Sequence, residues 1–195
     1  MSDEVRIVGG TWRGRPIATM AGRAVTRPTT GRTREQVASM VLSARGLDLG
    51  GTRVLDAFAG SGALGLELLS RGAASCTFVE RDRRACGLVR DNARALGATD
   101  EQARVTCGDV FSLARSGRLA GGPFSVVMLD PPYASEAKRV SGLVEDLHRG
   151  GLLNEGALVV YERSAKAEGL SVDGLELVKS KSRGTTGVDL YKMGL

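Results

Sequence analysis

Val54-Leu-Asp-Ala-Phe-Ala-Gly-Ser-Gly-Ala-Leu-Gly65 leads from a short apolar run, through a glycine-rich turn, into a helical stretch. A run that closes on Asp56, turns on Gly60 and Gly62 and then enters a helix predicts the strand–loop–helix unit that opens a doubly wound sheet. The turn glycines let backbone approach a ligand at the helix N-terminus, where unpaired N–H groups point outward. Downstream the unit repeats. Apolar runs at 76–79, 104–107, 125–129 and 157–161 alternate with helical stretches at 63–71, 83–96, 110–116 and 136–149. Near-continuous apolar strands joined by helical crossovers predict a parallel sheet covered on both faces. Beyond Tyr161 the pattern changes to apolar–polar alternation at 175–179 and 188–192, with Gly184 and Gly187 between, as expected of an antiparallel hairpin on the sheet edge.

Upstream, Gly50-Gly51 marks the expected boundary between an N-terminal extension, 1–50, and the main domain, 51–195. Between Val5 and Arg34 stand seven arginines (Arg6, Arg13, Arg15, Arg23, Arg27, Arg32 and Arg34) and no acidic residue, although the whole chain carries only +5. A basic segment on a near-neutral body reads as a device for contacting phosphates. Strand-like content at Val5–Val8 and 16–19, with Gly9 and Gly10 between, predicts a hairpin. Apolar residues at Val37, Met40, Val41 and Ala44 predict a helix behind it. Trp12, inside the basic run, suits either stacking on a base or packing the hairpin onto the body.

The 195 residues, 42% hydrophobic and 25% charged, fit one ordinary globular domain. The start, Met1-Ser-Asp-Glu-Val5, lacks the apolar region of a signal peptide, and no apolar run reaches the length of a bilayer span, so a cytoplasmic, non-membrane protein is expected. Cys76, Cys86 and Cys107 lack metal-ligand spacing and are expected to be reduced, mostly buried thiols, with no metal site. His148, the single histidine, has no nearby partner for catalysis.

The glycine turn fits two cofactors. Gly60 to Gly65 is formally G-x-G-x-x-G, and Glu80 at the end of the second strand can take ribose hydroxyls in either case. Asp56 separates the two. A carboxylate at the mouth of the loop opposes a pyrophosphate but suits S-adenosylmethionine, which has an ammonium, a sulfonium and no phosphate. The second motif, Asp130-Pro-Pro-Tyr133, follows the buried fourth strand, at the sheet edge where ligands bind. Two prolines after an aspartate also make a plain strand stop, but that role needs no tyrosine. Asp130 can accept one hydrogen of an exocyclic amine. Pro131, its direction fixed by Pro132, can accept the other through its carbonyl. Tyr133 offers a face on which a base can stack.

On these motifs the chain resembles class I methyltransferases acting on exocyclic amines. Over its length it resembles the RsmD family, which methylates N2 of a guanine in 16S ribosomal RNA. The likeness runs through Arg6-Ile-Val-Gly-Gly10, Trp12-Arg-Gly-Arg15, Arg27-Pro-Thr-Thr30, Arg34-Glu35, Asp56 to Gly65, Phe78-Val-Glu-Arg81, Asn92, Gly108-Asp109, Asp130 to Tyr133 and Leu190-Tyr191. The resemblance implies an α/β, Rossmann-like, mostly parallel seven-stranded sheet with an antiparallel C-terminal hairpin and a small N-terminal hairpin-and-helix extension. It implies that Asp56, Phe58, Gly60, Gly62, Glu80, Arg81, Asp109, Val110, Thr29 and Thr30 serve the cofactor. Asp130, Pro131, Pro132 and Tyr133 would hold the target, and Arg6, Trp12, Arg13, Arg15, Arg27 and Arg34 would meet RNA. The partner implied is 16S rRNA in the 30S subunit or a late assembly intermediate, bound by a monomer. The chain departs from the family at Gly31, where an acidic residue is usual. A DNA adenine-N6 or cytosine-N4 methyltransferase, a nicotinamide oxidoreductase and a non-catalytic RNA-binding module are the competing readings.

Overall fold

The structure is a computed structural model and describes residues 5–20, 31–132 and 137–194. In chain order its elements are a two-stranded hairpin, β1 (Val5–Arg6) and β2 (Pro16–Ile17), then α1 (Gly31–Ala44), β3 (Arg53–Asp56), α2 (Ala63–Ser70), β4 (Ser75–Glu80), α3 (Arg83–Leu96), β5 (Ala103–Cys107), α4 (Val110–Arg115), β6 (Phe124–Leu129), α5 (Ala137–Arg149), β7 (Leu153–Ser164), β8 (Leu175–Arg183) and β9 (Thr186–Met193). The main sheet has the order β5-β4-β3-β6-β7-β9-β8. Its first five strands are parallel, and β9 runs antiparallel to both β7 and β8. This is the α/β architecture expected from the sequence.

The alternation of side chains explains why the strands read as continuous apolar runs. Val54, Val126, Met128, Leu158, Val160, Val188 and Leu190 join a core beneath α1, α2, α3 and the N-terminal hairpin. Their neighbours Leu55, Val127, Leu129, Val159, Tyr161 and Tyr191 join a second core beneath α4 and α5. Strand β6 is buried at all six positions because both faces are covered. Helix α3 shows the local code clearly. Ala85, Val89, Asn92, Ala93 and Leu96 form its buried stripe, Asp82 caps its start, and Gly97 closes it with φ +86°.

Two local expectations are corrected. The first is a detail of the N-terminal hairpin, which forms as expected from β1 and β2: Gly9 and Gly10 lie between the strands but serve to dock the chain on α2. The Glu67 carboxylate accepts the N–H groups of Val8 at 2.9 Å and Gly9 at 2.8 Å. A Cβ on Gly10, whose φ is +79°, would lie 1.9 Å from the Ser70 carbonyl oxygen. Ile7, Ile17, Val37 and Val41 share one core with Val54 and Leu66, so hairpin and α1 pack as part of the sheet's own cover. The second is the cysteines. Cys86 and Cys107 form a disulfide with a Cα–Cα separation of 6.0 Å, and only Cys76 is a free, buried thiol. The pair is 21 residues apart in sequence. It meets because α3 runs back over the sheet and sets its first turn beside the end of β5, within the span a disulfide bridges.

Candidate active site

The site gathers where β3, β4 and β6 end. Parallel pairing sets Asp56 opposite Phe78 on one side and Met128 on the other, so the loops after these strands leave the same edge. Asp130 lies two residues beyond Met128, so it falls on the sheet face that carries Asp56. The glycine turn and the Asp130-Pro-Pro segment are therefore neighbours across one edge, as a shared pocket requires.

Asp56 is 3% exposed, and its Oδ2 accepts the Gly65 N–H at 3.0 Å. Burial lifts this carboxyl to about 7; the Gly65 hydrogen bond opposes the shift, and the charges of Asp130 and Glu80 add to it. Gly60 and Gly62 adopt φ of +55° and +80°. The three glycines of the turn differ in what they face. A Cβ on Gly60 would meet nothing within 4 Å, whereas one on Gly65 would lie 2.4 Å from the Phe78 ring. Gly60 thus faces open space, and Gly65 permits close helix–sheet packing.

Glu80 holds this turn in place. Its Oε2 accepts the Gly60 N–H at 3.0 Å, and its Oε1 accepts those of Arg81 at 2.8 Å and Asp82 at 3.0 Å. Arg81 itself is exposed. Asn92 bridges the turn to the hairpin, donating to the carbonyls of Ser61 at 2.9 Å and Ala18 at 3.0 Å; this is a packing role. Asp109 caps α4 through the Ser112 N–H at 2.9 Å, and Val110 behind it is buried. The rings of Phe58 and Phe111 lie 5.9 Å apart, with Arg139 stacked 4.1 Å over Phe111. Pro131 is half-buried and Pro132 exposed. Tyr133, Arg27, Thr29 and Thr30 lie outside the described residues.

One residue of this edge belongs to neither sequence motif. Glu162 follows Tyr161, which pairs with Leu129, so it stands beside Asp130. Among the described residues its Oε2 is shut off from solvent and has no hydrogen-bond partner. Burial, then the charge of Asp130, pushes the Glu162 carboxyl up to about 8. Alternation alone could not reveal this, because the strand register that sets Glu162 beside Asp130 is a tertiary fact.

The basic residues divide into two groups. Arg13 is exposed, and Arg6 is exposed with its guanidinium on the Gly14 carbonyl at 2.7 Å. Arg15 reaches the carbonyls of Leu96, at 2.7 Å, and Ala95 at the end of α3, where a cation complements the helix dipole. Arg34 is only 4% exposed and donates to the Arg6 carbonyl at 3.0 Å, so it holds hairpin and α1 together. Trp12 is half-buried and packs against the core beneath α2.

The family model described as conserved hypothetical protein 95 matches residues 5–192. "Putative rRNA methyltransferase YlbH" of Bacillus subtilis is 33% identical over 96% of this chain and 98% of its own length. "Ribosomal RNA small subunit methyltransferase D" of Escherichia coli is 36% identical over 83% of this chain and 75% of its own length. Among solved structures, "Putative methyltransferase yhhF" from Escherichia coli superposes with a TM-score of 0.83 at 31% identity, covering 98% of both chains.

Proposed function

The chain belongs to the conserved hypothetical protein 95 family, the RsmD family, and from that membership and its acidic sheet edge we propose that it methylates N2 of a guanine in small-subunit ribosomal RNA with S-adenosylmethionine as donor. The observation that carries the reading is the placement of Asp130 next to Asp56, on one face and at one edge of adjacent strands.

The residues fit this cofactor. Asp56, Glu80 and Asp130 collect acidic groups at the edge, which suits a cationic ligand and repels a pyrophosphate. Gly60 leaves open space where a ligand can meet backbone. In this reading Asp56 and the backbone of Gly60 and Gly62 take the amino-acid end. Glu80 takes the ribose and Asp109 the adenine amine, with Phe58, Arg81 and Val110 around them and Thr29 and Thr30 at the mouth. S-adenosylmethionine supplies a methyl already activated on a positively charged sulfur. The Asp130 carboxylate accepts one N–H of the target amine and the Pro131 carbonyl the other. The amine lone pair is otherwise delocalised into the ring; two acceptors orient the nitrogen and favour its pyramidal form. Tyr133 stacks on the base, which must leave its own stack to enter. The surplus proton passes to Asp130 or to water.

Arg6, Arg13 and Trp12, with Arg27 nearby in sequence, form the RNA-facing part of the N-terminal segment, 1–50, while 51–195 carries the reaction. Arg15 and Arg34 support that surface by bonding to backbone. In this reading the substrate is the 30S subunit or a late assembly intermediate, met in the cytoplasm by a monomer. Asp130→Ala tests the reading: methyl transfer to small subunits from cells lacking the protein falls by about a thousandfold or more. Cofactor affinity, measured by calorimetry, stays within a few-fold. Wild-type turnover by Asp130→Ala would remove Asp130 from the reaction.

A further inference from the structure

Glu162 neither holds the cofactor nor accepts from the target amine in the proposed reaction. The pairing of Leu129 with Tyr161 brings Asp130 and Glu162 out of β6 and β7 side by side. Met128 and Val160, each two residues earlier, face the same core, so both acids fall on the face that bears Asp56. The cofactor cradle lies on the β3–β4 side of Asp130, which leaves the β6–β7 side to the target base. Glu162 stands on that side with Oε2 shielded and, among the described residues, without a hydrogen-bond partner. A shielded polar atom left unsatisfied in a native fold calls for a partner absent from the fold itself.

We infer that Glu162 reads the ring N–H beside the target amine and so selects guanine over bases whose corresponding ring nitrogen is bare. This inference rests on the guanine-N2 reading. The described charged groups on the elements packed about Glu162 share its sign, bond elsewhere or are exposed. Asp130 faces it from β6. Arg163 and Asp189, on the opposite face by alternation, bind each other at 2.6 Å. Helix α1, packed on β7 and β9, contributes Arg34, which donates to the Arg6 carbonyl, and the exposed Arg32 and Glu35.

With a carboxyl pushed up to about 8 by burial and Asp130, Glu162 carries its proton at neutral pH. A neutral carboxyl offers one acceptor and one donor side by side. Guanine, next to its N2 amine, presents N1–H and then O6, which match both. Adenine presents bare N1 and then a C–H; cytosine presents N3 and then O2, both acceptors. Each of these satisfies only one half of the carboxyl. A site built to bond a particular N–H discriminates strongly against bases that lack it.

The test uses Glu162→Gln and Glu162→Leu of the full chain, with small ribosomal subunits from cells lacking the protein. Glutamine keeps an acceptor and a donor; leucine keeps the bulk and neither. Glu162→Gln should retain kcat/KM within about threefold, and Glu162→Leu should lose about 30-fold or more, with cofactor affinity unchanged in both. The wild-type rate should fall as pH rises through about 8, where Glu162 ionises, and the glutamine variant should lack that fall. A merely structural glutamate would leave the pH profiles of wild type and Glu162→Gln superimposed. Superimposed profiles, an inactive Glu162→Gln, or a Glu162→Leu with wild-type kcat/KM would overturn the inference. If Glu162→Leu fails to fold, the glutamine profile still decides. Wild-type enzyme that puts no methyl on guanine N2 would instead sink the reading beneath it, and the inference with it.

Discussion

Asp56 is 3% exposed and carries a carboxyl lifted to about 7, chiefly by burial. Its native proton affinity exceeds that of the unfolded chain, so its contribution to stability is fully present below about 4 and is lost as pH rises to about 7. The loss is on the order of a few kcal/mol. Asp56→Asn should therefore melt higher than wild type at pH 8 without ligand, and the two should converge toward pH 4; calorimetric melts across that range check this. Parallel curves would mean that Asp56 is not lifted. If Asp56 holds the cationic end of the cofactor as proposed, the same variant should bind cofactor at least about tenfold more weakly. At this scale Asp56, Gly60 and Asp130 were legible because each sits in a motif whose chemistry demands that residue type. Glu162 was not, because nothing in the local sequence around Tyr161 tells which strand lies beside it.

Among the elements, the N-terminal hairpin and the C-terminal strands depend on buried charges that hydrophobic patterning does not reveal. Glu67 is fully buried on α2, accepts Val8 and Gly9 N–H groups, and pairs with Arg71 at 2.9 Å. Glu67→Ala leaves those donors unsatisfied and should cost about 2–5 kcal/mol, with amide exchange faster across 5–18. Unchanged exchange there would show that the apolar contacts of Ile7 and Ile17 hold the hairpin unaided. Between β7, β8 and β9, Asp189 accepts from Arg163 at 2.6 Å, Ser180 at 2.6 Å and Tyr191 at 3.2 Å. Burial alone would raise its carboxyl; these bonds hold it below its usual value. Asp189→Ala should destabilise by about 3–5 kcal/mol in denaturant melts. A stability within about 1 kcal/mol of wild type would assign the network little weight. Periodicity placed α3 and β6 well, because their burial patterns are regular. It missed the role of Gly9 and Gly10 and the Cys86–Cys107 pair, because docking on α2 and the meeting of α3 with β5 are decided by packing between distant segments.

Across the whole molecule, charge is separated: arginines line the N-terminal segment, and carboxyls gather at the open edge of the sheet. That pattern was visible in the sequence, as was the parallel sheet with its late antiparallel strands. The charge suits a polyanion held outside and a cationic cofactor held inside. Arg13→Glu should weaken RNA binding several-fold at moderate salt, reduce the salt dependence, and leave cofactor affinity unchanged. Arg15 is the poorer probe, because its guanidinium also closes the end of α3. An Arg13→Glu variant with wild-type RNA affinity would confine the segment to a structural role. The central claim is tested most directly by incubating the purified protein and S-adenosylmethionine with small subunits from cells lacking it, then analysing the rRNA nucleosides by mass spectrometry. The account predicts one new N2-methylguanosine, absent with Asp130→Ala. A methyl found on adenine, cytosine or DNA, or on no nucleoside at all, would contradict it.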